Sequence, residues 1–347
     1  MKYQNYIFAC GGTLGHIMPA ISMAKEIKKK KPLSKIIFIM TIKEKKYQVI
    51  NDCKEIDEKM YFDISGFDRK NPFNNISNFF KILNVLIKLK SILPTKSIVI
   101  GMGGYISYIV IHSAFKKKIP SIIHEQNVVI GLANKMSLKK VKKVLSAFPL
   151  DDEKSITIGN PRMMEADTYL NNKKQNNHLV ITSGSLGSKK INDLAVQFLT
   201  SEEKENYYTT LVTGKKYYED VIKRVGTNKT PYFEIIPFKN NMLELFSDAN
   251  LVISRAGATT IFEIIGLMIP SILIPSPNVT NNHQYYNALF LQKQNACTLL
   301  EEDDLTVDIL EKNIKKTINN QVISDNLKKI KKSYENINIV EVLENLA

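Results

Sequence analysis

Short apolar runs alternate with stretches of helical spacing along most of the 347-residue chain. Tyr6 to Cys10 is a β-type run, Gly11-Gly12-Thr13-Leu14-Gly15 is a loop, and Ile17 to Lys30 repeats apolar positions at helical spacing, with lysines in the last turns where the helix dipole favours cations. Ile36–Met40, Ser97–Ile100, Ser121–His124 and Val141–Ser146 read as further strands, with helical stretches between most of them. They read as buried runs, which is the mark of a parallel sheet covered by helices on both sides.

Pro149 to Asn177 breaks this rhythm with acidic, proline and asparagine clusters and ends in the polar run 171–177, so the domain boundary is expected there. The opening device then recurs: His178–Thr182 as strand, Ser183-Gly184-Ser185-Leu186-Gly187 as loop, Ile191–Leu199 as helix. Tyr208–Val212, Phe233–Ile236, Leu251–Ser254 and Ser271–Ile274 are the strands expected after it, each running into a loop and then a helix. The prediction is α/β with two Rossmann-like, doubly wound lobes, residues 1–160 and 161–330, followed by 331–347. The stretch Asn326–Ala347 reads as helix. Doubly wound sheets place ligands beyond the carboxyl ends of their strands, so the loops of the two lobes are expected to border one cleft.

One helix departs from the ordinary amphipathic pattern. Over Pro72–Leu93 the polar positions Ser77, Lys81, Asn84, Lys88 and Ser91 form a narrow stripe, while Phe79, Phe80, Leu83, Leu86, Ile87 and other apolar residues fill the rest. One face can pack on the sheet and another is left over. With Lys81, Lys88 and Lys90 close by, it is either a mostly buried helix of a large lobe or an in-plane membrane contact through Phe79, Phe80 and Leu86.

Composition narrows the classes. The chain is 44% hydrophobic and 24% charged, ordinary globular material, and no window is long and apolar enough to span a bilayer; no signal peptide is expected either. Three cysteines without a C-x-x-C pair argue against a disulfide framework or a thiolate metal site, and a reducing cytosol fits. The net charge of +14 is lopsided: residues 1–160 hold 27 Lys and Arg against 12 Asp and Glu, the remainder 21 against 22. Only Arg69, Arg162, Arg224 and Arg255 are arginine, whereas base readout and bidentate phosphate clamps favour arginine, so nucleic acid is not expected as a partner. A lysine-rich half suits either a diffuse anionic surface such as a membrane leaflet, worth about 1 kcal/mol per nearby lysine, or simply a lysine-biased solvated surface.

Candidate chemistry sits in the loops. Gly11–Gly15 leading into a helix can offer amides to an anion, but its spacing fits neither G-x-G-x-x-G nor G-x-x-x-x-G-K-[ST]. His16, where loop meets helix, is either a general base or a cap of the turn. Gly101-Met102-Gly103-Gly104-Tyr105 is either an anion contact or a close-packing device, and His124-Glu125-Gln126-Asn127 follows a strand in the same manner. Thr260 and Glu263 have capping-box spacing; the alternative role for Glu263 is to accept hydrogen bonds from a vicinal diol such as ribose. No D-x-D pair occurs, which disfavours a metal-bridged diphosphate.

Taken together these segments resemble one family. Gly11-Gly12-Thr13-Leu14-Gly15-His16 with Pro19-Ala20, Gly103-Gly104-Tyr105, His124-Glu125-Gln126-Asn127 with Gly131 to Lys135, Gly159-Asn160-Pro161-Arg162, Gly184-Ser185-Leu186-Gly187, Arg255-Ala256-Gly257 through Glu263, and His283-Gln284 with Asn287-Ala288 look like the MurG family of peptidoglycan N-acetylglucosaminyltransferases, in order over residues 6–300. The resemblance implies a GT-B fold and inverting transfer of GlcNAc from UDP-GlcNAc to the C4 hydroxyl of the undecaprenyl-linked muramoyl-pentapeptide. It implies peripheral attachment to the cytoplasmic face of the bacterial membrane, with no cofactor required. It places Thr13, Leu14, Gly15, Asn127, Arg162, Ser185 and Gln284 around the donor, Ala258, Thr259, Thr260, Ile261, Phe262 and Glu263 on the UDP, and Phe238 beside the uracil. His16 becomes the base, with Gly12, Gly103, Gly104, Tyr105, His124 and Glu125 on the acceptor side. The final helix is expected to return to the first lobe. Leu14 stands where many members have glycine, Ser183 replaces the first glycine of the second loop, and Arg162 directly follows the proline. The alternatives at this point are another GT-B lipid glycosyltransferase, a UDP-sugar epimerase of similar fold, and a non-catalytic nucleotide-sugar binding protein at the membrane.

Overall fold

A computed structural model describes residues 3–66, 73–170, 177–184, 186–335 and 337–345. The chain forms two compact units, Met1–Pro161 together with Ile337–Ala347, and Arg162–Asn336. In the first unit seven parallel strands are ordered β3-β2-β1-β4-β5-β6-β7: β1 Asn5–Cys10, β2 Lys35–Thr41, β3 Glu58–Phe62, β4 Ser97–Gly103, β5 Ser121–Glu125, β6 Lys143–Ser146 and β7 Ser155–Thr157. In the second, six parallel strands are ordered β10-β9-β8-β11-β12-β13: β8 His178–Thr182, β9 Tyr208–Val212, β10 Phe233–Ile236, β11 Leu251–Ser254, β12 Ser271–Leu273 and β13 Thr298–Leu299. β3, β7 and β13 are absent from the sequence reading. Each lies at or next to a sheet edge, is short or half-buried, and so lacks a continuous apolar run.

The strands are the cores of their units because both of their faces are covered. Ile7, Ala9, Ile37, Ile39 and Val99 pack with Val85 and Leu89 of the Phe73–Ile92 helix and Ile106, Ile109 and Val110 of the Tyr105–Lys116 helix. In the other unit Leu179, Ile181, Leu211 and Ile253 pack with Leu194, Ala195 and Phe198 of the Lys189–Thr200 helix. Each fully buried Ile, Leu or Phe contributes about 1.5–3 kcal/mol relative to exposure.

Two details of helix bounds depart from expectation. The first helix runs Leu14–Lys30 from an N-cap at Thr13, so His16 lies within its first turn. The last predicted helix is two: Gln321–Lys332 and Ile339–Asn345, broken after Lys332. The second of these belongs to the first unit, where Glu344 accepts from the Tyr6 hydroxyl (2.8 Å) and pairs with Lys31 (2.5 Å). The Phe73–Ile92 helix divides as expected, with one apolar face packed on the sheet and another left over. Val85, Leu89 and the half-buried Leu86 pack on the core, while Ile76, Phe79, Phe80 and Ile87 are 60, 54, 65 and 71% exposed. Leu86 is thereby corrected from a membrane contact to a packing residue.

Candidate functional site

The strand order of the first unit reverses between β1 and β4, and a doubly wound sheet opens its ligand crevice at that point. The Gly11–Thr13 loop after β1 is held there by Glu44, a buried carboxylate from the Ile42–Lys46 turn. Glu44 accepts from the Gly12 amide (2.9 Å), the Thr41 amide (2.7 Å) and the Thr41 hydroxyl (2.6 Å). Thr41 and Glu44 form a capping box. The T-x-x-E spacing was visible in the sequence; its reach to Gly12 was not.

His16 is oriented by the same loop. Its Nδ1 lies 2.7 Å from the Gly11 carbonyl oxygen, an acceptor, so Nδ1 carries a proton, and in the neutral imidazole Nε2 keeps the lone pair. Gly103 and Gly104 after β4 make this seat possible. A Cβ on Gly103 would lie 2.8 Å from His16 Nε2 and Cδ2, and one on Gly104 would strike the Gly11 carbonyl; their φ values of +112° and +79° are left-handed as well. Of the two roles open for this glycine pair, close packing is the one visible in the structure. Tyr105 follows as the first residue of the next helix, half-buried.

The polar quartet at the end of β5 is spent internally. Glu125 is buried and accepts from the amides of Asn127 (3.0 Å) and Gly131 (2.9 Å) and from the Asn134 side chain (2.8 Å), which shapes the 125–131 loop. His124 is buried, and burial pushes its imidazole down to about 4; Gly159 O accepts from Nε2–H (3.3 Å) while Nδ1 accepts from Gln126 (3.1 Å). Expected on the acceptor side, His124 and Glu125 are scaffold. Asn127 alone of the quartet's site residues is only partly buried.

In the second unit the order reverses between β8 and β11. The loop after β8 includes Ser185, which lies outside the described residues. The loop after β11 leads into the Ala258–Leu267 helix, whose N-cap is Gly257, so the first-turn amides have no side-chain cap from it. The capping box expected at Thr260 and Glu263 is therefore not formed: Thr260 is the third helical residue and Glu263 the sixth. Ile261 and Phe262, expected against the UDP, are fully buried core residues, and the Ile261 amide already donates to Gly257 O (3.0 Å). The helix buries most of its surface, which leaves only its N-terminal end for a ligand.

Glu263 is 4% exposed and Arg162 2%. Arg162 Nε donates to Glu263 Oε1 (2.8 Å), Nη1 to Glu165 (2.9 Å) and Nη2 to Asn241 Oδ1 (2.8 Å). Burial raises the Glu263 carboxyl above its ordinary value, and Arg162 offsets only part of that rise. Asn241 ends the loop that carries Phe238, which lies partly buried beneath the Lys215 ammonium (5.5 Å), so one guanidinium ties the expected ribose ligand to the expected base contact. Arg255 plays a comparable part: it donates to Ile274 O (3.2 Å), Pro275 O (3.1 Å) and Ser188 Oγ (2.8 Å) and pairs with Glu302. Gln284 accepts from the Ser276 amide (2.9 Å). The Asn241 and Glu302 contacts had no sequence signal, since both partners are distant in the chain.

Comparison with known proteins agrees with this arrangement. Residues 6–146 match the glycosyltransferase family 28 N-terminal domain, and residues 178–340 match its C-terminal domain. A Thermoanaerobacter sp. (strain X514) protein named UDP-N-acetylglucosamine–N-acetylmuramyl-(pentapeptide) pyrophosphoryl-undecaprenol N-acetylglucosamine transferase is 37% identical over 95% of this chain and 96% of its own length. A protein of the same name from Pediococcus pentosaceus is 33% identical over 97% and 98%. In fold, the chain is similar to the crystal structure of Acinetobacter baumannii MurG, with TM-score 0.69 and 22% identity over 99% of each chain. It is also similar to UDP-glucose: anthocyanidin 3-O-glucosyltransferase in complex with UDP, with TM-score 0.63 and 11% identity over 96% and 95%. Two parallel sheets, each with a loop site at its switch point, together with full-length relatives above 30% identity, place this chain in the MurG family of glycosyltransferases.

Proposed function

We propose that the chain transfers GlcNAc from UDP-GlcNAc to the C4 hydroxyl of an N-acetylmuramyl-pentapeptide carried on undecaprenyl diphosphate, with inversion at the anomeric carbon. The observation that carries the reading is the contact of His16 Nδ1 with Gly11 O (2.7 Å): in the neutral imidazole it puts the proton on Nδ1 and leaves the Nε2 lone pair to accept one. In the proposed step Nε2 takes the hydroxyl proton, the C4 oxygen bonds to the anomeric carbon, and the bond from that carbon to the diphosphate oxygen breaks with its electron pair leaving on UDP. Amides at the start of the Ala258–Leu267 helix, with the Thr13–Gly15 segment and Ser185, receive the diphosphate charge. Glu263 accepts from the ribose hydroxyls, Phe238 borders the uracil, and Asn127 and Gln284 meet the sugar. Arg162 acts on the donor through the Glu263 and Asn241 contacts it already makes. No cofactor is needed, because amides and a helix N-terminus stabilise the leaving group without metal, and turnover is expected to persist in a chelator.

The exposed Ile76, Phe79, Phe80 and Ile87, beside the exposed Lys88 and Lys90, support a peripheral seat on the anionic cytoplasmic leaflet. Among the described residues no helix is long and apolar enough to cross a membrane. Lys81 is paired with Asp63 (2.6 Å), so it contributes less than the other two. Nucleic acid is not part of this reading.

Incubation with UDP-GlcNAc and the lipid-linked acceptor tests the reaction. Product from the wild type and loss of it in His16→Ala are expected. Donor binding without product on any lipid acceptor would favour a binding protein instead. Sedimentation with anionic vesicles tests the surface, and unchanged binding of Lys88→Glu/Lys90→Glu would remove that assignment.

A further inference from the structure

The turn that supplies Glu44 has a second property. Ile42–Lys46 carries three lysines, Lys43, Lys45 and Lys46, all exposed, around one carboxylate that is buried and fully occupied by Thr41 and Gly12. Four other lysines of the same unit are paired: Lys28 with Asp57, Lys30 with Glu26, Lys31 with Glu344 and Lys35 with Glu58. Among the described residues Lys43, Lys45 and Lys46 have no acidic partner. Two of them rest over aromatic rings, Lys45 over Tyr61 (5.2 Å) and Lys46 over Tyr47 (5.0 Å), and the Tyr47 hydroxyl reaches the Gly12 carbonyl (3.5 Å). A cation over a ring keeps its outer side available to an anion. Through Glu44 and Tyr47 the whole turn is bonded to the loop that orients His16.

We propose that this lysine turn recognises the peptide arm of the acceptor, with Lys43, Lys45 and Lys46 facing its carboxylate groups; the proposal rests on the transferase reading above. The chemistry of a muramyl sugar selects the arm over the diphosphate. Its lactyl-peptide substituent is on C3, next to the C4 hydroxyl that must lie at His16, whereas the diphosphate is on C1, across the ring. A group bonded directly to the His16 loop therefore meets the C3 substituent first. An extended pentapeptide spans up to about 17 Å, enough to bring its terminal carboxylate and any side-chain carboxylate along the turn. The three ammonium groups add long-range attraction and suppress uncharged or cationic competitors.

The test uses the full chain in detergent, away from any bilayer, with two short-lipid acceptors: muramyl-pentapeptide diphosphate lipid, and the same molecule with its peptide carboxylates amidated. Lys43→Gln/Lys45→Gln/Lys46→Gln is compared with wild type, with Glu44 left intact. The expected result is an acceptor KM raised roughly ten-fold on the acidic acceptor, with donor KM and kcat within two-fold. Wild type is expected to lose a similar factor on the amidated acceptor, and the variant to lose little more. A variant indistinguishable from wild type on the acidic acceptor overturns the proposal, as does an equal loss on both acceptors, which assigns the lysines to the diphosphate. A wild type inert on both acceptors takes down the transferase reading itself, an outcome separate from either.

Discussion

The two switch points solve one topological problem with different chemistry. Between β1 and β4, His16 is held by neutral contacts: it leans on the Gly11 carbonyl and on two glycines, and the carboxylate of Glu44 is used to pin Gly12. Between β8 and β11, the corresponding elements are held by charge, with Arg162 on Glu263 and Arg255 on Glu302. Neutral seating leaves a nitrogen able to change its protonation state during a reaction. Ionic seating gives a buried carboxylate a fixed partner and a fixed orientation, which suits a group that must only accept hydrogen bonds. The pair of T-x-x-E spacings makes the same point: at Thr41 and Glu44 it closes a capping box, while at Thr260 and Glu263 the helix starts three residues earlier and frees the glutamate for an arginine.

The sharpest way to break this comparison is at His16. His16→Ala should lower kcat by about 10²–10⁴-fold, as loss of a general base does, while the thermal midpoint moves by no more than a few degrees. A large loss of stability instead would make His16 part of the scaffold. The ionic side should respond in the opposite sense, in stability before chemistry. Arg162→Met leaves Glu263 buried and unpaired and should cost about 3–5 kcal/mol in urea unfolding; a cost below 1 kcal/mol would show that the pair holds nothing in place.

A third effect separates His124 from His16. With its pKa lowered from the ordinary value of 6.5 to about 4, His124 is neutral in the folded chain, and the unfolded state binds the extra proton between those values. Its contribution is therefore complete above pH 6.5 and is lost as pH falls toward 4, about 3 kcal/mol in all. Unfolding titrations over this window, with His124→Gln as the comparison, should show the slope in the wild type and a flatter one in the variant. Smallest of the four, Glu44→Ala should cost about 1–3 kcal/mol by stripping the Gly12 and Thr41 amides of their acceptor, with kcat falling as the His16 loop loosens. An unchanged kcat would uncouple that turn from the site.

Much of the second unit was legible directly. β8, β9, β10 and β11 begin and end where the β-type runs do, because strands covered by helices are mostly apolar or β-branched. The loops with chemistry were legible for the same reason: each stands where such a run stops. Within those loops the roles were not. Glu125 and His124 look like site groups in sequence, yet burial and the amides around them turn both into scaffold.

Periodicity and glycine placement by themselves determined that this chain is two repeats of strand, loop and helix, that a histidine stands at the first loop, and that the surplus of lysine belongs to the first half. These are local properties, set by side-chain spacing and by which residues tolerate a left-handed backbone. Only the folded structure decided which T-x-x-E caps a helix, that Arg162 is spent on Glu263 across 101 residues, and that Glu44 reaches Gly12 across 32. The reason is that a buried charge must find its partner wherever packing brings one, and no spacing rule along the chain encodes that distance.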